Sequence, residues 1–224
     1  MKGLKRIDDS EIAYQLDGLR FTLHAVRTAF VRIEAFCRLR EMDTTSELTF
    51  SECFNVLSDC WTVIDQTDRA RAILESIRGF KRGKQEKRQF LDSARTAHKF
   101  RNVFQHFGTA AKAIPEKSPS MMGTLCWVTK ANPQLSLLLI LTSGVVDTSF
   151  PSLVFDRLES KFVEDFQFNA AGHGISISSL NNSCGMYSDF LEEMLAEIDA
   201  HSDGNVAGMI IGFEVQSRDS IATA

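Results

Sequence analysis

The chain is expected to fold as an α+β, mainly α protein: an antiparallel helical bundle, then a small antiparallel sheet and a C-terminal helix. Three observations lead there. Ile12, Leu16, Leu19, Leu23, Val26, Phe30, Ile33 and Cys37 are spaced alternately by four and three residues, which holds one apolar seam on one helix face. After a break at "TTSELTF", Phe50, Phe54, Leu57, Trp61 and Ile64 repeat that spacing. Beyond residue 118 the period shortens toward two, as in "DFQFNAAGHGISISSL", where Phe166 and Phe168 alternate.

Each element follows from local chemistry. Thr and Ser in "TTSELTF" offer caps for a second helix, whose pattern continues to about Ile77. "RGFKRGKQEKR" (78–88) reads as a basic, glycine-punctuated turn, and a third helix runs from about Lys84 to Ile114. The two prolines of "IPEKSPS" end it. Three long helices joined by short loops must run antiparallel to their neighbours. "TLCWVTK" and "QLSLLLILTS" flank "ANP" and predict two strands and a turn. A second hairpin is expected about the turn Gly172-His173-Gly174. Tyr187, Phe190, Leu191, Met194, Leu195 and Ile198 then mark a last helix, and "GMIIGFEV" one further strand. The resulting units are a bundle over 10–115, a β-rich layer with a C-terminal helix packed on the bundle over 120–202, and a tail over 203–224.

Composition narrows the function classes. The longest apolar run, "LSLLLILTSGVV", is too short for a membrane span and is broken by Thr142, Ser143 and Gly144. "MKGLKRIDDSE" turns acidic where a signal peptide would be apolar, so a cytoplasmic protein without membrane contact is expected. The five cysteines (37, 53, 60, 126 and 184) are odd in number and lack Cys-x-x-Cys spacing, which predicts neither a disulfide framework nor a zinc site. Cys37 and Cys60 fall on apolar stripes and are expected to be buried. Residues 1–117 hold 21 Lys and Arg against 16 Asp and Glu, a balance of +5; residues 118–224 hold 4 against 13, a balance of −9. Such asymmetry points to a polyanion partner or to charge-guided self-association. No phosphate-binding loop, nucleophile elbow, zincin motif or dinucleotide fingerprint is present, and no metal or other cofactor is expected.

The third helix carries the most unusual face. In "AHKFRNVFQHF" (97–107), His98, Arg101, Asn102, Gln105 and His106 share one side, and no carboxylate lies on it between Arg95 and Thr109. The opposite side carries Ala97, Phe100, Val103, Phe104 and Phe107. A face like this suits an anion, or a partly dry interface where amides and imidazoles find partners. His98 taken alone reads as an ordinary surface histidine.

Arg101-Asn102-Val103-Phe104-Gln105-His106 resembles the signature of the HEPN superfamily, an Arg followed after four to six residues by His on a late helix of an all-α bundle. "CWTVIDQTDRARAILESI" (60–77) is similar to the preceding helix of some uncharacterised bacterial members, with Asp65 and Arg69 at the matching acidic and basic positions. The resemblance covers about residues 10–115. It implies a metal-independent endoribonuclease, often a toxin or defence effector, with Arg101, His106 and Asn102 at its centre. It also implies a homodimer that brings two such helices to one cleft, and a separate antitoxin or regulatory protein as a possible partner. The alternative is a non-catalytic module that uses the same face to bind a protein, nucleotide or nucleic acid.

The residue types suit RNA cleavage. A histidine titrates near neutral pH and serves as general base or acid, and a guanidinium binds phosphate oxygens with a fork of donors. Asn102 would orient the phosphate or the imidazole. Asp65 and Arg69 form a helix-supporting i,i+4 pair, and Asp65 is also placed to orient Arg101 or His106 from the neighbouring helix. Gln105 and His98 support the same face. Lys81, Arg82, Lys84, Lys87 and Arg88 are candidate contacts to RNA phosphates, or simply a solvated turn.

Overall fold

The computed structural model describes residues 10–43, 46–77, 83–105, 123–128, 138–142, 155–156, 161–162, 166–170 and 173–198. Helix α1 (Ser10–Met42) turns the first seam inward, burying Leu16, Leu19, Leu23, Val26, Ile33 and Cys37, with Ile12 and Phe30 at its margin. Helix α2 (Phe50–Ser76) opens with a capping box. Thr49 Oγ1 accepts the Glu52 N–H at 3.2 Å, while Glu52 Oε2 accepts the Thr49 N–H at 2.9 Å.

The inward stripe of α2 differs from the expected one at its start. Phe50 and Phe54 are exposed and stack on each other, 6.2 Å between ring centroids. Leu57 and Ile64 of the expected row are buried, and Cys53, Val56, Cys60 and Val63 join them in facing the core. Two ion pairs between α1 and α2, Arg40 to Glu52 at 2.8 Å and Arg32 to Asp59, accompany this rotation. One residue of offset turns a helix by about 100°, enough to exchange the two rows. Helix α3 (Lys84–Gln105) follows Gly83, whose φ of +62° favours glycine, and buries Phe90, Ala94, Ala97 and Phe100.

Both predicted strand pairs form, and the turn expected at "ANP" lies outside the described residues. Strands β1 (Thr124–Val128) and β2 (Leu138–Thr142) pair antiparallel, as do β5 (Gln167–Ala170) and β6 (His173–Ser176); β1 also pairs with β5, giving the order β2-β1-β5-β6. Between them, β3 (Phe155–Asp156) and β4 (Lys161–Phe162) form a separate two-residue pairing. Leu141, Leu125, Phe168 and Ile175 lie opposite one another in register, so one buried rung crosses all four strands. His173 is not the turn residue expected: it is exposed and opens β6 opposite Ala170.

The last helix, α4 (Ile177–Ile198), begins ten residues before the expected Tyr187. Ile175 and Ile177 are both buried, so the strand's alternation runs on through the helix start and conceals it. Ser176 Oγ caps the helix by accepting the Ser179 N–H at 2.9 Å, and the Ile177 N–H donates to the Phe166 carbonyl at 2.8 Å.

Helix α4 packs against α1, α2 and α3, and α3 lies across the bundle from α1. Arg20 ties α1 to α4 through two bonds to Glu192, at 2.5 and 2.9 Å. Trp61 of α2 sits between Phe100 of α3 and Phe168 of β5, at centroid distances of 5.5 and 5.3 Å. Helices and sheet therefore share one apolar core. No described helix is long and apolar enough to cross a membrane. Residues 106–122 and the tail from 199, with "GMIIGFEV", lie outside the described residues.

Candidate functional site

The polar face of α3 meets carboxylates, and they come from α2. Asp68 is at the centre. Its side chain is only 3% exposed and interrupts the inward row that Cys60 and Ile64 begin, at four-residue steps. Arg71 Nε donates to Asp68 Oδ1 at 2.8 Å, and Arg101 Nη1 donates to Asp68 Oδ2 at 2.9 Å. Arg101 Nε also lies 3.1 Å from Asp65 Oδ1, so one guanidinium bridges two carboxylates one helical turn apart. Arg71 extends the chain of charges through Nη1 to Glu75 at 2.6 Å.

His98 joins this cluster. Its Nδ1 is 3.0 Å from Asp68 Oδ1 and 3.1 Å from Arg71 Nη2, and its Nε2 is 3.0 Å from Asn102 Nδ2. An ionised carboxylate only accepts, so Nδ1 is protonated and donates a hydrogen bond to Asp68; the approach of Arg71 is then a contact and not a second bond. The remaining lone pair on Nε2 accepts from the Asn102 amide. His98 is 40% exposed, with its buried edge fixed and its other edge at the surface.

No family model, curated protein or solved structure matches this chain. The chemistry of the site therefore rests on its own geometry.

Electrostatics separate the two aspartates. Burial pushes Asp68 up, but hydrogen bonds from Arg71 and Arg101 outweigh it and hold the carboxyl below its usual range. Asp65 is half-exposed and less tightly held; burial raises it, and the opposing pull of Arg101 does not fully compensate. Arg71 is raised: burial works against its charge, and the bonds and charges of Asp68 and Glu75 prevail. The face that lacked carboxylates along α3 is thus neutralised from α2, within the same chain.

The expected residues divide by place. Arg101, Asn102, His98 and Asp65 meet in one cluster. Arg69 is exposed on α2, and the close ion pair of Asp65 goes to Arg101. Gln105 closes α3, its side chain outside the described residues, as is all of His106. Lys81 and Arg82 also lie outside them. Lys84 and Arg88 are exposed, Arg88 lying 3.9 Å from Asp92, while Lys87 Nζ donates to the Leu74 carbonyl at 3.0 Å near the C-terminal end of α2.

Asp68 and Arg71 are absent from the sequence-based set. The signal that marks Asp68 is a carboxylate within an apolar row, four residues after Ile64. Among the described residues no three His, Cys, Asp or Glu side chains converge as metal ligands.

Proposed function

We propose that the chain is a HEPN-like, metal-independent endoribonuclease whose centre is the face of α3 bearing His98, Arg101 and Asn102, with His106 following. The observation that carries this reading is the Asp68–His98 dyad beside a part-exposed guanidinium. Attack by a 2′-hydroxyl on the adjacent phosphorus needs a base for its proton, an acid for the departing 5′-oxygen and a cation beside the phosphorane. His98, its tautomer set by Asp68, is the base once the substrate's 2′-hydroxyl replaces the Asn102 amide at Nε2. His106, placed by the Arg-to-His spacing alone, is the acid, and Arg101 lies against the phosphate. Products would carry a 2′,3′-cyclic phosphate and a 5′-hydroxyl.

The experiment incubates the pure chain with end-labelled RNA in EDTA, beside His98→Ala, His106→Ala and Arg101→Ala. Loss of either imidazole should slow cleavage by about 10² to 10⁴-fold. Cleavage persisting at the wild-type rate in all three variants would overturn the proposal.

One observation favours a second reading, a non-catalytic binding module. The charge of Arg101 is already met by Asp65 and Asp68, which weakens its pull on phosphate. No cleavage of any RNA from pH 5 to 9, combined with retention of a partner on the same face, is the outcome that selects it.

A further inference from the structure

Helix α1 has a second seam, opposite the one that fills the core. Tyr14, Gly18, Phe21, Ala25, Thr28, Arg32, Ala35, Leu39 and Met42 are spaced four, three, four, three throughout. At about 100° per residue this row lies roughly 170° from the buried one. Its large members face solvent: Tyr14, Phe21, Leu39 and Met42 are 80, 69, 71 and 82% exposed. A helix apolar on two opposite faces has a second partner to find.

We propose that a second copy of this chain covers this face, with the two α1 helices antiparallel about a two-fold axis between residues 26 and 27. The row is self-complementary in that register. Tyr14 of one protomer meets Leu39 of its partner, Phe21 meets Arg32, and Ala25 meets Thr28, while Gly18 borders Ile73 of α2 in its own chain and leaves room for the partner's Ala35. Only Ala25 and Thr28 flank the axis, and both are small, so the backbones approach closely there, with Phe21 and Arg32 packing on either side. Arg32 is the one charge in the row, and Asp59 already holds it through two bonds at 2.9 and 2.5 Å. Its guanidinium can therefore lie over the partner's Phe21 without leaving a bare charge. Along the flank, the same register sets the exposed Asp17 beside Arg38 of the other protomer, opposite in sign.

Size sets the strength. From Tyr14 to Met42 the row spans about 42 Å, and a helix about 10–12 Å wide gives on the order of 500 Å² of projected face. This is below the roughly 800 Å² per partner of a standard stable interface, so the dimer is reversible rather than obligate. It also leaves the Asp68 cluster open, because α3 lies across the bundle from α1. A dimer of this kind does not depend on ribonuclease activity, and it differs from one joined at a shared cleft.

Sedimentation velocity of the full chain, from about 1 to about 100 µM, tests it. The wild type should pass from monomer to dimer over that range. Phe21→Glu and Leu39→Glu should raise the dissociation constant by roughly a hundredfold, since each residue is lost twice across the axis. Asp17→Lys and Arg38→Glu should each weaken the dimer, and together restore it. Circular dichroism melts confirm folding, and the charge pair carries the test if a glutamate variant does not fold. A chain monomeric at the highest concentration, a dimer indifferent to Leu39→Glu, or a double charge variant no tighter than the singles would overturn the proposal.

Discussion

Asp68 shows how much one side chain can hold. It is buried and accepts hydrogen bonds from two guanidinium groups and from the His98 Nδ1–H. Removing one partner of such a group leaves the others buried and uncompensated. Asp68→Ala should therefore cost about 3–5 kcal/mol in chemical denaturation, and Asp68→Asn less, since it keeps the shape and some of the bonds. The acid limb reads the same residue. Because folding lowers its pKa, Asp68 contributes stability that is complete above its unfolded value near 3.9 and is lost as pH falls through the folded value. Asp65, raised by folding, works in the opposite sense: its contribution is present at low pH and diminishes as pH rises through its folded value. Melting temperatures measured between about pH 5 and pH 2 should fall less steeply in Asp68→Asn than in the wild type.

At the scale of elements, sheet and bundle are joined by shape as much as by area. Gly123 precedes β1 with φ +100°, and a β-carbon there would stand 2.2 Å from the ring of Phe168. That ring is fully buried and packs against both Trp61 and Phe100. Gly123→Ala thus incurs backbone strain and a clash with a ring that has no room to retreat. It should lose at least about 2 kcal/mol of stability, read from the urea midpoint. Helix starts were legible where capping chemistry is local, as at Thr49 and Glu52. They were obscured where burial mimics a strand, as at Ile177, whose place in the alternation continues β6. The pairing of β3 with β4 had no periodic signal, because two residues are too few to show a period.

On the scale of the whole molecule, one core gathers residues from every helix and from strands of the four-stranded sheet, and the five cysteines lie buried and unbridged. Burial pushes Cys60 well above the ordinary thiol value, and Cys126 and Cys184 up to about 11, so thiolate is scarce at neutral pH. Titration with a thiol-reactive disulfide should find no fast-reacting cysteine in the native chain and five in guanidinium; fast reaction of any one in the native state would contradict this burial. The sequence by itself determined the fold class, the seam of α1, the two strand pairs and the polar face of α3, because periodicity and turn chemistry are properties of neighbours along the chain. Only the tertiary structure decided what that face meets. Asp68 stands 33 residues before Arg101, and pairing between helices depends on their relative rotation, which a difference of one residue changes by about 100°. The same rotation exposed Phe50, buried Cys53, and turned a face without carboxylates toward the two that α2 supplies.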